Sequence, residues 1–224
     1  MDVPLYGLDI ETDTEAGGLD PSLARILAVA VSTDISDVVF QGDESSILTR
    51  VDAYLAGLAP GAVVTWNGST FDIPFIVHRA GLIGLELGLR AHRDDRLPHR
   101  DPIPGLDGVY RATWHDHRHL DGYRLYRSDV GRTLPVSCGL KSMSRLVGLS
   151  PVEVDVVHLH QLRATDVAAY VASDARMARL LVERRLPAAL AWADRINCQP
   201  HHPTPLDRPP ASLSQPPDNL ITIT

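Results

Sequence analysis

Apolar and polar positions along this chain alternate in phases that change with distance from its start. Residues 3–10, Ile26-Leu27-Ala28-Val29-Ala30-Val31-Ser32 and Asp37-Val38-Val39-Phe40 are short β-rich runs that predict three strands in succession. From Glu44 to Leu58 the period lengthens, with Ile47, Leu48, Val51 and Leu55 at helical spacing. Pro60-Gly61 ends that helix, and Ala62-Val63-Val64-Thr65-Trp66 reads as a short buried strand. A second helix is predicted from about Ser69 to Ala80, its first turn displaced or kinked by Pro74.

The signal then weakens. Gly, Pro, Arg and Asp are scattered among few apolar residues between Gly81 and His117, which predicts a long, irregular, Arg-rich connection over 82–118. His119-Leu120-Asp121 reads as a strand end, followed by short helical pieces through Leu146-Val147-Gly148. Thr165-Asp166 caps a last helix running to about Arg185 and interrupted or ended near Pro187. Residues 199–224 hold seven of the 17 prolines and few large apolar residues, and are expected to be disordered or draped on a surface. Three strands, helix, strand, helix, strand, helix is the order of one mixed α/β sheet with helices on its faces, spanning residues 1–195.

Composition narrows the classes. A chain of 224 residues suits one substantial α/β domain. No apolar stretch approaches the roughly 20 residues that span a bilayer, and a strand begins at once where a signal peptide would stand, so no membrane role is expected. Cys138 and Cys198 lie far apart without metal-ligand spacing, which predicts free thiols and a cytoplasmic location. The net charge of −7 argues against a nucleic-acid partner until it is mapped. Between Arg79 and Arg145, Arg and Lys outnumber Asp and Glu by 12 to 8, against 9 to 20 elsewhere. A locally basic segment of an acidic protein can meet phosphates. Lys141 is the single lysine against 20 arginines, which reads as a compositional bias of the source genome.

Candidate chemistry begins in the first strand. Leu5-Tyr6-Gly7-Leu8-Asp9-Ile10-Glu11-Thr12 ends in two carboxylates one residue apart, which on a strand project to the same face. Carboxylates that close repel each other unless a cation lies between them or one keeps its proton. A divalent metal is the expected reason. Asp72, in Trp66-Asn67-Gly68-Ser69-Thr70-Phe71-Asp72, falls in the first turn of a helix just after a strand. Tyr170 and Asp174 share one face of the last helix. His115, His117 and His119 would share a face if they lay on one strand, but no fourth ligand has suitable spacing, so they read as the exposed polar start of a strand.

Together these segments resemble the three motifs of the DEDD superfamily of 3′–5′ exonucleases, which have a ribonuclease-H-like fold. The resemblance is to the tyrosine-bearing branch that includes the proofreading domains of family B DNA polymerases. Asp9-Ile10-Glu11 matches the first motif, Asn67 with Phe71-Asp72 the second, and Tyr170 with Asp174 the third. The sister branch carries a histidine five residues before the last aspartate, where this chain has Ala169. His119 to Leu125 resembles a further segment of the polymerase-type domains, with Asp121 in a structural position. The resemblance implies three leading antiparallel strands in a mixed sheet and hydrolysis at a 3′ end of single-stranded DNA or RNA, DNA being favoured. It implies two Mg²⁺ ions, replaceable by Mn²⁺, held by Asp9, Glu11, Asp72 and Asp174, with Tyr170 orienting the attacking water. Thr12, Asn67 and Phe71 are the implied substrate contacts, arginines of 90–132 are expected to track phosphates, and a polymerase or repair protein is the implied partner. Two alternatives stand beside it: a non-cleaving nucleic-acid-binding member of the same fold, and a zinc hydrolase built on the histidines of 115–119.

Overall fold

In the computed structural model, the first strand, β1 (Leu5–Thr12), sets the plan of the molecule because its side chains divide strictly between two faces. The structure describes residues 3–13, 15, 19–94, 96, 108–155, 159 and 161–197. The remaining strands are β2 (Ile26–Ser32), β3 (Asp37–Gln41), β4 (Ala62–Thr65), β5 (Leu89–Arg93), β6 (Tyr110–Trp114) and β7 (His117–Asp121). They form one sheet in the order β3-β2-β1-β4-β7-β6-β5. The first three strands pair antiparallel, as expected, β1–β4 and β4–β7 pair parallel, and β7–β6–β5 return antiparallel.

Helices α1 (Glu44–Ala56) and α2 (Asp72–Leu82) cover one face. There Leu8, Ile10, Val29, Val31 and Val63 pack with Ile47, Leu48, Val51, Leu55, Ile73 and Ile76. The other face of β1, β2 and β4 receives α6 (Ala164–Asn197), through Ala28, Ala30 and Val64 against Val167, Val171, Ala175, Ala178 and Val182. Three short helices, α3 (Gly122–Ser128), α4 (Val130–Thr133) and α5 (Leu140–Leu146), lie between β7 and α6 in sequence. The chain divides into a unit over Met1–Ala189 and a second over Leu190–Thr224.

Several expectations change. The stretch expected to be irregular over 82–118 carries β5 and β6, which extend the sheet by two strands. Helix α2 begins at Asp72 rather than Ser69 and continues through Gly81, with Pro74 in its first turn, where a missing N–H costs nothing. Helix α6 passes through Pro187 to Asn197. The three histidines do not share a strand face. His115 sits in the β6–β7 turn at φ 50°, while His117 is buried at 1% exposure and its Nε2–H donates to the Leu55 carbonyl (2.8 Å). The expected exposed strand start is therefore a locked hairpin, because Asp52 of α1 accepts from the Trp114 indole (2.7 Å) and the Gly88 N–H (2.8 Å). Cys138 is buried and free; Cys198 and the tail lie outside the described residues.

Candidate active site

Asp9 and Glu11 project from β1 on the side of the sheet that meets α6, opposite Leu8 and Ile10. Their cross-strand neighbours on β2 are Ala30 and Ala28, which leave room for a helix to come close. Gly7 makes the approach closer still. A Cβ at Gly7 would lie 2.0 Å from the Ala175 carbonyl oxygen, so this position admits no side chain. Ala175 follows Asp174, and the tight contact therefore brings the Asp174 carboxylate over the two carboxylates of β1.

Asp72 arrives from the other side of β1. It is the first residue of α2 and is 3% exposed. The preceding loop turns at Asn67, which has φ 70°. Asp121, at the end of β7, holds this loop: its carboxylate accepts from the Asn67 N–H (2.9 Å) and the Ser69 N–H (3.1 Å), and from the Arg124 N–H at the start of α3. This is the structural role expected for Asp121.

The electrostatics record the convergence. Desolvation pushes the Asp9 carboxyl well above the usual carboxylate range, reinforced by Asp72, Glu11 and Asp174. Glu11 is pushed up to about 8 by desolvation and then by Asp174 and Asp72. Burial lifts Asp72 to about 7, while a backbone hydrogen bond from Ile10 pulls the other way. Asp174 is raised by burial and partly relieved by Lys141. Tyr170 donates its hydroxyl to Asp174, and burial together with the three neighbouring carboxylates holds the phenol protonated.

Lys141 is the residue that sequence reasoning missed. Its ammonium pairs with Asp174, donates to the Val152 carbonyl (2.9 Å) and lies 4.4 Å from the centre of the Tyr170 ring. Its singularity in an arginine-rich chain was the available signal.

The implied substrate residues are placed unevenly. Asn67 is half-buried, its side-chain carbonyl accepting from the Thr70 hydroxyl (2.8 Å). Phe71 is half-buried beside Phe75, with ring centres 5.3 Å apart. Thr12 is buried, just past an irregularity in the β1–β2 pairing.

Four carboxylates, all held above the usual carboxylate range by burial, form an all-oxygen donor set of the kind hard divalent cations take. Among the described residues no three His, Cys, Asp or Glu side chains stand close enough together to hold a metal ion as they are placed. The donor chemistry fits divalent ions, with Asp174 engaged by Lys141.

Comparison with known proteins adds an independent line. The profile described as DNA polymerase family B, exonuclease domain, matches residues 9–142. That range holds Asp9, Glu11, Asp72 and Lys141 and stops before Tyr170 and Asp174. A DNA polymerase epsilon catalytic chain from Saccharomyces cerevisiae is 29% identical over 117 residues, 51% of this chain and 5% of that protein. Its counterpart from Arabidopsis thaliana is 32% identical over 142 residues, 59% of this chain and 6% of that protein. The chain thus spans about a twentieth of the length of these relatives. The family B DNA polymerase from the archaeon Pyrobaculum calidifontis has the same fold over 84% of this chain and 25% of its own, with a TM-score of 0.64 and 21% identity.

Proposed function

Since this chain belongs to the exonuclease-domain family of the family B DNA polymerases, we propose that it hydrolyses the terminal phosphodiester at the 3′ end of single-stranded DNA, releasing nucleoside 5′-monophosphates. The observation that carries this reading is the gathering of Asp9, Glu11, Asp72 and Asp174 from the end of β1, the start of α2 and the body of α6, each with its proton affinity raised by burial. No packing interaction explains charges that destabilise one another.

Asp9, Glu11 and Asp174 would hold one divalent ion, with Asp9 shared with a second ion that Asp72 supports. Two bound Mg²⁺ ions supply charge stabilisation for both the attacking and the leaving oxygen of an in-line displacement. Tyr170 keeps its proton, so its hydroxyl orients a water rather than deprotonating it. Lys141 holds Asp174 and the Tyr170 ring in register and offsets part of the negative charge before substrate arrives. Asn67 and the outer edge of Phe71 stand at the α2 side, where they would meet the terminal nucleotide. Base stacking on a half-exposed Phe71 ring tolerates any sequence. A polymerase or repair complex is the proposed setting, because the relatives are polymerase components.

The test is product analysis. 5′-labelled DNA and RNA of one sequence are incubated with Mg²⁺, Mn²⁺ or EDTA, and the released mononucleotides are identified by chromatography. An exonuclease of this kind gives a ladder shortening from the 3′ end, 5′-monophosphates as products, no reaction in EDTA, and faster loss of DNA. Internal cuts, 3′-monophosphates or undiminished activity in EDTA would contradict it.

A further inference from the structure

Beyond the carboxylate cluster, the sheet extension has a second surface with its own chemistry. In β5, Leu89 and Ala91 face the α1–α2 core, and in β6 Tyr110, Ala112 and Trp114 do the same. The intervening residues, Arg90 and His92 on β5 and Arg111 and Thr113 on β6, are exposed on the opposite face. Register aligns them: Arg90 lies opposite Thr113, His92 opposite Arg111, and Thr113 opposite exposed Arg118 of β7. This face is continuous with the side on which Asp9 and Glu11 project. Arg118 and Leu120 share one side of β7, and Leu120 packs in the α6 cluster with Val64. On the core side, α2 packs against β5 and β6.

An ordinary solvated sheet face mixes both signs of charge. Among the described residues of β5, β6 and β7 on this face and the residue that follows β5, the acidic one is Asp94, 5% exposed and engaged by Arg96 and Arg111. The outer layer is therefore basic on a protein of net charge −7. The surface also reaches the site physically, since the Tyr110 N–H at the head of β6 donates to the Ser69 carbonyl (2.7 Å) in the loop that carries Asn67.

We propose that the exposed face of β5, β6 and β7, formed by Arg90, His92, Arg111, Thr113 and Arg118, binds the sugar–phosphate backbone of the single strand whose 3′ end enters the carboxylate site. This rests on the function proposed above and extends it to the strand beyond the terminal nucleotides. Same-face residues recur every two positions along a strand, and neighbouring strands lie about 4.8 Å apart. The cationic groups thus form a grid able to meet successive phosphates without reading bases.

The experiment uses the full chain in EDTA, so that binding is read without cleavage. Fluorescence anisotropy with a long oligothymidylate and with a trinucleotide compares the wild type with Arg90→Gln/Arg111→Gln/Arg118→Gln. The triple variant should bind the long strand about tenfold or more weakly, with a salt dependence shallower by about two in log–log slope, as three lost phosphate contacts on a single strand require. Trinucleotide affinity should not change. The matching Arg→Lys triple should recover most of the long-strand affinity, which separates lost charge from a damaged fold. Equal long-strand binding by the Gln triple and the wild type overturns the proposal, as does a Lys triple as weak as the Gln triple. Displacement of the oligonucleotide by polyglutamate at equal charge concentration would point to an acidic protein surface and overturn it too. Trinucleotide cleavage by the wild type in Mg²⁺ is read separately, so failure of the catalytic reading leaves the binding result interpretable.

Discussion

At the scale of single residues, Asp9, Glu11, Asp72 and Asp174 are held where each would shed its charge, and that has a measurable sign. Their folded-state pKa values lie above the unfolded carboxylate values of about 4, so the metal-free folded chain binds more protons than the unfolded chain. The stability they contribute is fully present below about pH 4 and is lost as pH rises through about 7 for Asp72 and about 8 for Glu11. His119, held neutral by burial with its pKa lowered to about 4, acts in the opposite sense, but only below its ordinary value of 6.5. In EDTA the melting temperature should therefore fall between about pH 6.5 and about pH 8, and Mg²⁺ should reduce the fall. A melting temperature that rises over that window would contradict the assignment. Tyr170→Phe and Lys141→Gln remove residues that orient rather than ligate, and each should slow turnover by roughly 10–100-fold. Asp9→Ala should abolish it. Single-turnover cleavage ranks the three, and a Tyr170→Phe as severe as Asp9→Ala would make the phenol more than an orienting group.

At the scale of elements, the site depends on how closely α6 lies on β1 and how firmly β7 holds the β4–α2 loop. Gly7→Ala forces a Cβ against the Ala175 carbonyl and should destabilise the chain by about 1–3 kcal/mol or more, with loss of cleavage as Asp174 moves. Unaltered melting and activity in that variant would rule out the helix contact as the device that places Asp174. Asp121→Asn presents an amide to two N–H groups that need acceptors, and should cost about 1–3 kcal/mol. The elements that build this site were legible because their periodicity is local: β1, β4 and the Tyr170–Asp174 face of α6 each show it within a few residues. The two missed strands also alternate, as Leu89-Arg90-Ala91-His92-Arg93 and Tyr110-Arg111-Ala112-Thr113-Trp114. Their apolar positions are few and separated by a Pro- and Asp-rich stretch, so pairing that is distant in sequence decides their state. Lys141 escaped for a similar reason, since its meaning comes from α5 lying against α6 and nothing around it in sequence marks a site.

At the scale of the whole molecule, the fold arranges an acidic end and a basic side on one sheet. The carboxylates gather where β1 ends and α2 and α6 meet it, while the arginines spread over β5–β7 on the same side. A net charge of −7 conceals both, and the count between Arg79 and Arg145 gives only the regional balance, because which side of a strand an arginine takes is set by pairing. No described helix is long and apolar enough to cross a membrane. On the function proposed above, the carboxylate cluster serves chemistry at a cost to stability. Asp9→Asn tests this most directly, with thermal melting in EDTA at about pH 8 and 3′-end digestion in Mg²⁺ measured on the same preparation. The variant should melt higher, by about 2–4 °C for each kcal/mol of repulsion relieved, and should no longer shorten the strand. A variant that melts lower and still digests DNA at the wild-type rate would contradict it.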